Sequence, residues 1–415
     1  MNIGATTKEP PTSQAFDPIW VRSLFPGAAN LTYLDVAARS LLSVVEQRAI
    51  NEHVATRVEM GGNKPAMFAA IESARTKFAR LINADRVEVA ITKSVGDGIN
   101  MISTAMPWKP GENIVVSSLE HPSNLYPWAH TCRLKNVELR VVPGEDGICD
   151  IGRIIESIDE QTKLVSLSTV TYAPGLRNDI ASLSKACRNK GIFLLVDAAQ
   201  SIGILHTDVE SLGVDAIATS SQKGMLALYG TGFLYCRKEW AERLTPAFVG
   251  RFSIDLGKEH EAAFHDSDYS LMPGALRFEV GNYNYIGGIA VDSALNLLLK
   301  LGTEAIEAHA VGLAARLTNG LIDLGLPVVG SGRNPAERRT HIVCVGTFMP
   351  NANDRAEGDA MDSLAAFLRA QRIGFSIRRG LLRFSLHIYN NRDDVDRVLE
   401  LVRQWQKQSS RSLKA

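Results

Sequence analysis

Short apolar runs alternate with longer amphipathic stretches along the first two thirds of the chain. The runs are rich in β-branched residues and predict strands at 31–35, 87–92, 114–118, 137–142, 163–169, 192–198, 215–221 and 232–236. The stretches have helical spacing and lie at 41–60, 66–83, 97–106, 124–135, 151–158 and 180–190. This alternation predicts an α/β fold with a mostly parallel sheet between helices. In such a sheet, functional side chains collect at the carboxyl ends of the strands.

The pattern changes near residue 288. One long helical pattern covers 288–324, and it is followed by strand patterns at 341–347, 374–378 and 381–387 and helical patterns at 359–372 and 393–407. That order indicates a smaller α+β domain. We therefore predict a flexible tail over 1–17, a large domain over 18–287 and a small domain over 288–415.

Composition and charge narrow the class of protein. The 415 residues are 45% hydrophobic and 22% charged, as in ordinary globular proteins. Forty-five basic and 45 acidic residues cancel, which argues against a nucleic-acid binder, because such proteins need a basic face. No apolar run reaches the ~20 residues that span a bilayer, and the first residues lack a signal-peptide pattern. We expect a cytoplasmic protein that binds neither nucleic acid nor membrane.

The cysteines form no recognisable framework. They are scattered, with no CxxC pair and no spacing typical of a metal site, at Cys132, Cys149, Cys187, Cys236 and Cys344. We expect buried or half-buried free thiols in a reducing compartment and no metal centre.

Two charged residues follow neighbouring predicted strands. Asp197 ends the apolar run LLVDA, and Lys223 follows the next run in SSQKG. A helix-capping aspartate and a solvated surface lysine are the plain alternatives. Together, however, an acid that can hold a pyridinium and an amine that can form a Schiff base are what pyridoxal phosphate (PLP) requires. The lysine would then serve as the general base at Cα of the substrate.

Several further segments strengthen this interpretation. From YLDVAA (33–38) through LEHPSN (119–124) and SSQKG (220–224) to LLRFSLHIYNN (381–391), the chain resembles the class V aminotransferase superfamily of PLP enzymes. That superfamily includes cysteine desulfurases and isopenicillin-N-epimerase-like proteins. The resemblance implies PLP fold type I, with a seven-stranded sheet in the large domain. It also implies a homodimer whose active site lies at the subunit interface.

The resemblance implies a set of cofactor contacts. His121 would stack on the pyridine ring and take part in catalysis, unless it is a surface histidine. Gln200 would approach the phenolic oxygen of PLP. The phosphate would be held by Ser94, Val95, Gly96, Ser220 and Gln222, and by Asn282 of the RFEVGN segment reaching the phosphate of the partner subunit.

The resemblance also implies the substrate contacts. Arg383 would hold the α-carboxylate by a bidentate fork, and Arg378 would line the same pocket. An arginine at the edge of the small domain is the structural alternative for Arg383. Asn124 would lie near the substrate, and Tyr172 occupies a position where the family often has asparagine.

One departure from the family bears on the reaction. Cysteine desulfurases carry their nucleophilic cysteine in a loop between an Arg-Gly turn and the carboxylate arginine. Here Gly380 is followed after two leucines by Arg383, and Cys344 on an apolar run is a poor nucleophile. We expect an aminotransferase or a non-desulfurase lyase. An epimerase or racemase, and a C–S β-lyase acting on a cysteine conjugate, stay open.

The sequence disfavours two other classes of protein. A silent PLP-binding sensor would need a DNA-binding domain before the fold, and a Rossmann nucleotide binder would need GxGxxG after an early strand.

The polar segment 250–275 is bounded by glycine and proline. We predict that it forms a lid or a dimer contact that selects the substrate.

Overall fold

The computed structural model describes residues 16–257, 269–331, 338–352 and 355–412. Residues 1–15 of the predicted tail and 258–268 of the predicted lid therefore lie outside the described residues.

The strands follow the predicted apolar runs closely. In chain order they are β1 (Thr32–Tyr33), β2 (Val89–Thr92), β3 (Asn113–Ser117), β4 (Glu138–Val142), β5 (Thr162–Ser168), β6 (Phe193–Asp197), β7 (Ala216–Ser220), β8 (Gly232–Cys236), β9 (Ile254–Asp255), β10 (Ser270–Leu271), β11 (Ile342–Val345), β12 (Ile373–Gly374), β13 (Ser376–Arg378) and β14 (Leu381–Ser385).

The helices fill the intervals between them. In chain order they are α1 (Pro18–Ser23), α2 (Pro26–Asn30), α3 (Val44–Met60), α4 (Lys64–Leu81), α5 (Val95–Ala105), α6 (Tyr126–Lys135), α7 (Ile151–Glu156), α8 (Ile180–Asn189), α9 (Val209–Leu212), α10 (Lys238–Ala241), α11 (Tyr285–Leu301), α12 (Thr303–Asp323), α13 (Asp359–Ala370) and α14 (Arg392–Ser412).

A seven-stranded sheet organises the larger part of the fold. Its strand order is β2-β8-β7-β6-β5-β3-β4. Strand β8 runs in the direction opposite to the other six strands, which are parallel to one another. The inner strands β6 and β7 are buried along their whole length, because helices cover both faces. The predicted α/β fold with a mostly parallel sheet is confirmed. The carboxyl ends of β3, β5, β6 and β7 consequently meet at one edge.

A second, smaller core lies towards the C-terminus. Strands β11, β14 and β13 form an antiparallel sheet in that order, and α12, α13 and α14 bury apolar side chains with it. Strand β1, near the start of the chain, pairs with β12 in this part. The N-terminal segment is thus built into the smaller unit and returns past the edge where the parallel strands end.

The long helical pattern predicted over 288–324 is two helices rather than one. Helix α11 ends at Leu301, and α12 begins at Thr303 after Gly302, whose φ is +80°. Their axes differ by 84°. The predicted boundary at 287/288 lies inside α11, whose apolar residues belong to the core of the larger unit. The division into domains stays a prediction.

None of the described helices is by itself long and apolar enough to cross a bilayer. Only α11 and α12 taken together have the required length and composition, and they are sharply bent against each other.

Candidate active site

An open cavity of about 410 Å³ lies at the carboxyl edge of the large sheet. Twelve of the residues predicted from the sequence line it, and they come from the ends of strands, the start of α5 and the β13–β14 hairpin. They are Ser94, Val95, Gly96, His121, Tyr172, Asp197, Gln200, Ser220, Gln222, Lys223, Arg378 and Arg383. The structure therefore brings together segments that lie almost 300 residues apart in the chain.

Asp197 and Lys223 face this cavity from adjacent strands. Asp197 ends β6, is 7% exposed, and accepts a hydrogen bond from the Ala199 amide at 2.9 Å. Burial raises the pKa of Asp197. Burial lowers the pKa of Lys223 to about 8, although the Asp197 charge opposes that shift. The site thus holds a buried carboxyl in need of a cationic partner and an amine that loses its proton near neutral pH.

Close backbone contacts fix the segment that carries Lys223. A Cβ on Gly224 would lie 2.2 Å from the carbonyl oxygen of Ile202, so only glycine fits there. The Gly224 carbonyl accepts a hydrogen bond from Nε2 of His387 at 2.8 Å. Leu226 adopts a φ of +60°, a left-handed conformation that surrounding contacts must hold. Lys223 is therefore presented by a rigid turn.

The start of α5 forms an anion-binding wall. Ser94 caps this eleven-residue helix, and its Oγ accepts from the Asp97 amide at 3.3 Å. The amides of Val95 and Gly96 lie in the first turn, where backbone N–H groups have no partner within the helix. Ser220 lines the same cavity from the end of β7. A phosphate group fits such a helix N-terminus.

Gln200 forms part of the wall beside the N-terminal segment. Its Nε2 donates to the carbonyl oxygen of Ala37 at 3.1 Å. Its Oε1 is buried and has no donor among the described residues. A polar ligand in the cavity would donate the hydrogen bond that this oxygen lacks.

His121 stands at the cavity mouth as a neutral ring. Its Nδ1 accepts from the Ser123 amide at 3.1 Å, and its ring meets the Tyr172 ring edge-on at 5.1 Å. Desolvation, followed by the positive charges of Lys223 and Arg383, lowers the pKa of His121 to about 4. A neutral imidazole can stack on an aromatic ligand. It is not the proton donor that a charged imidazolium would be.

The prediction that Asn124 binds substrate is wrong. Its side chain is fully buried and does not line the cavity. Its Oδ1 accepts from Ser166 Oγ at 2.6 Å and from Trp128 Nε1 at 3.1 Å. Its Nδ2 donates to Glu120 at 2.7 Å. Internal polar groups therefore hold this amide on both its oxygen and its nitrogen.

Glu120 is a residue whose role was not foreseen. Its carboxylate accepts from the Ser168 amide at 2.9 Å and from the Ser168 hydroxyl, which ties the His121 turn to the end of β5. Burial raises the pKa of Glu120 to about 7. The only sequence signal is an acid beside a histidine in LEHPSN, and that signal does not reveal the partner.

Arg383 is buried and held from three sides. Its Nε donates to Ser376 Oγ at 3.0 Å and its Nη1 to the Tyr172 carbonyl at 2.7 Å. Its Nη2 lies 3.9 Å from Oδ1 of Asp35, an oxygen with no hydrogen-bond donor in the described structure. Arg383 is thus part of the cavity wall, not of the outer edge of the small domain.

Sequence reasoning missed Asp35, Arg39, Ser168 and Tyr229, which also line the cavity. Asp35 and Arg39 belong to the segment LDVAARS, which crosses the site only because β1 pairs with β12. No local sequence pattern indicates that this segment reaches the cavity.

Asn282 lies outside this cavity. It is exposed, has a φ of +42°, and borders a second cavity with Lys93 and Asp97. Its predicted contact with the phosphate of a partner subunit stays a prediction.

All five cysteines are buried free thiols, as predicted. None lines the main cavity. Cys344 is the register neighbour of Arg383 across β11 and β14, and burial raises its pKa to about 12. It is therefore a protonated thiol, which is a poor nucleophile. Within the described residues there is no cluster of three metal-ligating side chains.

Comparison with known sequences gives one consistent family. The sequence profile of the family described as Aminotransferase class-V matches residues 32–398. The chain is 28% identical over 404 residues to a probable cysteine desulfurase of Methanothermobacter thermautotrophicus, which covers 92% of this chain and 96% of that protein. It is 27% identical over 386 residues to an uncharacterised aminotransferase of Bacillus subtilis, which covers 93% and 97%.

Solved structures agree with the sequence comparisons. The cysteine desulfurase of Thermococcus onnurineus has a TM-score of 0.81 at 25% identity, over 94% of this chain and 98% of that one. A variant of the protein C-DES with glycine covalently linked to its PLP cofactor has a TM-score of 0.80 at 22% identity, over 92% and 98%. These likenesses confirm the fold that the resemblance implied.

Proposed function

Because the chain belongs to the class V aminotransferase family, we propose that it transfers or eliminates a group on an amino acid by a route that needs no cysteine nucleophile. It is a PLP-dependent enzyme that acts on amino acids. The observation that carries the proposal is the β13–β14 hairpin. Arg379 and Gly380 alone join the two strands, and every thiol of the chain is buried away from the cavity.

The residues of the cavity fit pyridoxal phosphate. When bound, this cofactor supplies an aldehyde that takes up an amino group and a ring that withdraws electrons from Cα. Asp197 would pair with the ring nitrogen, and Lys223 would hold the aldehyde carbon. The start of α5 and Ser220 would hold the phosphate. Such a ligand could contact Oε1 of Gln200, which is buried without a hydrogen-bond donor among the described residues. Its protonated ring nitrogen would supply the positive charge that stabilises the ionised form of Asp197, whose pKa burial raises.

The remaining groups of the chain orient the substrate and move its proton. Arg383 would bind the α-carboxylate through its charge-assisted donors. Lys223, whose pKa of about 8 lies close to neutrality, would accept the proton of Cα and return it elsewhere. Neutral His121 would cover the ring, and Tyr172 beside it would keep water from that face.

We infer transamination as the leading reaction, since it needs only these groups and an incoming keto acid. Elimination at Cβ would require a leaving group on the substrate, and epimerisation would require an acid on the face opposite Lys223. A cysteine desulfurase reaction is disfavoured, because it needs a thiolate that can reach the substrate sulfur.

The test is titration of the yellow holoenzyme with a panel of amino acids, including cysteine conjugates. Bleaching that only a keto acid reverses would establish an aminotransferase. Ammonia and keto acid accumulating under persistent yellow colour would establish a lyase, and inversion of configuration at Cα without other products would establish an epimerase. Persulfide formation from cysteine that is lost in Cys344→Ala would overturn the cysteine-free route.

The dimer is a separate proposal. Asn282 is exposed beside Val280, which is 48% exposed, so this segment is free to meet a second copy. If Asn282 completes the site of the partner, mixed dimers of Lys223→Ala and Asn282→Ala subunits recover activity, because one of the two sites then has both residues intact. Recovery should not occur if each subunit works alone.

A further inference from the structure

The cavity is lined by more guanidinium groups than the α-carboxylate of a simple amino acid needs. Four described residues of its lining are cationic, namely Arg39, Lys223, Arg378 and Arg383, and two are acids, Asp35 and Asp197. The proposed function employs three of these six groups at the reacting centre: Asp197, Lys223 and Arg383. Asp35 lies beside Arg383. Arg39 and Arg378 are left without an assigned task.

Arg39 is placed at the cavity by its backbone. The amide of Ala37 donates to Ser385 Oγ at 2.8 Å, and the amide of Ser40 donates to the carbonyl of Gln222 at 2.8 Å. The first contact ties the segment to the end of β14, and the second ties it to the residue before Lys223. The short stretch between these anchors presents the exposed Arg39 beside the Schiff-base lysine.

Arg378 is placed by the register of the β13–β14 hairpin. Ser376 is the register partner of Arg383, and Arg378 lies two residues further along the same strand. Residues two apart in a strand share a face, so Arg378 and Arg383 leave the same face on diagonal positions. Nη1 of Arg378 donates a hydrogen bond to the Ile377 carbonyl at 2.7 Å. Arg378 and Arg383 therefore both line the cavity from one face of the hairpin.

From this juxtaposition we propose that the substrate is an amino acid with a second anionic group on its side chain. Arg383 takes the α-carboxylate, and Arg39 with Arg378 takes the distal carboxylate or an isosteric sulfonate. The planar guanidinium fork matches either group with two parallel hydrogen bonds. This inference rests on the proposed function for the identity of the reacting end, and it adds the class of substrate.

A competing use of Arg39 is compensation of the cofactor phosphate. The α5 start and Ser220 already form an anion site on the wall of Ser94. Arg39 lies between an anchor at the end of β14, which carries Arg383, and an anchor on Gln222, which was predicted to contact the phosphate, so the experiment must separate the two uses. The two uses predict different defects. A phosphate role would weaken PLP affinity for every substrate, and a substrate role would weaken only acidic ligands.

The experiment uses the holoenzyme and pairs of near-isosteric ligands. Turnover is compared for aspartate against asparagine and for glutamate against glutamine. Binding of succinate and glutarate, which cannot react, is measured by thermal melting and by the shift of the cofactor absorbance. We expect at least one acidic member to be favoured about 10- to 100-fold in kcat/KM, and its dicarboxylate analogue to bind.

Three variants assign the effect. Arg39→Gln and Arg378→Gln should each reduce the acidic preference and the dicarboxylate affinity about tenfold or more, with the Kd for PLP unchanged. Arg316→Gln, on an exposed ion pair with Asp396, should change neither. Neutral ligands bound equally well, or a loss of PLP affinity in Arg39→Gln at unchanged preference, would overturn the inference.

The dicarboxylate arm separates this inference from the proposed function. If no amino acid reacts but dicarboxylates bind through Arg39 and Arg378, the acidic subsite stands and the proposed reaction falls. If neutral amino acids react and no dicarboxylate binds, the proposed reaction stands and the acidic subsite falls.

Discussion

Nε of Arg379 donates a hydrogen bond to the phenolic oxygen of Tyr172 at 2.7 Å. The same guanidinium lies over the Tyr172 ring, 5.0 Å from its centroid, and 5.5 Å from that of Phe348. Tyr172 in turn meets His121 edge-on. The hairpin turn that replaces any long connection between β13 and β14 therefore supports the ring that would cover the cofactor.

This relationship predicts coupling between Arg379 and Tyr172. Arg379→Asn keeps a residue that tolerates the observed φ of +49° but removes the guanidinium, and Tyr172→Phe removes only the phenol. Each change should lower the free energy of unfolding by about 1–3 kcal/mol, because a charged hydrogen bond is lost. The double variant should lose clearly less than the sum. Additivity within about 0.5 kcal/mol in denaturant unfolding would mean that the contact contributes nothing.

A second prediction concerns the Lys223 amine. Its pKa of about 8 lies below the ordinary 10.5, so the neutral, nucleophilic form appears as pH rises through about 8. The rate at which apoenzyme turns yellow on mixing with PLP should rise with pH to a half-maximum near 8. Nα-acetyl-lysine is the control for the titration of PLP itself. Asp197→Asn should move the midpoint to lower pH, since it removes the charge that favours the ammonium. A half-maximum near 10.5 would contradict the burial argument.

A third prediction concerns the ion pair that anchors the 279–284 segment. Glu279 Oε1 receives Nη1 of Arg75 at 2.5 Å and the Ile91 amide at 2.6 Å, and both ion-pair side chains are at most 4% exposed. Glu279→Gln should cost about 1.5–3 kcal/mol of unfolding free energy, because the buried guanidinium then keeps only the half-exposed Glu72 as its counter-charge.

The exposed pair Arg316–Asp396 is the matched control, and Asp396→Asn should cost no more than about 1 kcal/mol. Equal losses in the two variants, measured by denaturant unfolding, would show that burial does not decide the effect. Because Asn282 follows on the same segment, Glu279→Gln should also weaken self-association if that segment contacts a partner subunit.

A fourth prediction concerns the turn that presents Lys223. Gly224→Ala places a methyl group 2.2 Å from the Ile202 carbonyl, so the turn must shift and PLP affinity should fall about tenfold or more. Gly312→Ala is the control, because nothing lies within 4 Å of its Cβ in the middle of α12. That substitution should be neutral or stabilising by up to ~1 kcal/mol. PLP titration by fluorescence gives the Kd of each variant, and Gly312→Ala should leave the Kd unchanged. An unchanged Kd in Gly224→Ala would refute the rigid-turn account.

Much of the fold was predictable because the buried parallel strands are continuous apolar runs. Asp197 and Lys223 could be found because each directly follows such a run, and strand ends meet at one edge of the sheet. The break at Gly302 was missed, since the apolar spacing continues through it and only the tertiary packing of α11 and α12 selects the bend.

The errors within the site have a common cause. Asn124 is polar and lies three residues after His121, yet its side chain turns into the protein towards Glu120. Arg39 has no local signal, and it reaches the cavity because β1 pairs with a strand more than 300 residues away. Sequence patterns report which residues share a strand or helix face, but not which distant segments cross each other.

The most direct test of the central claim is reduction of the yellow holoenzyme with borohydride, followed by proteolysis and mass spectrometry. The account predicts one modified residue, Lys223, and loss of that adduct in Lys223→Ala although the variant remains folded. A phosphopyridoxyl group on any other lysine, or no adduct at all, would contradict the assignment of this cavity.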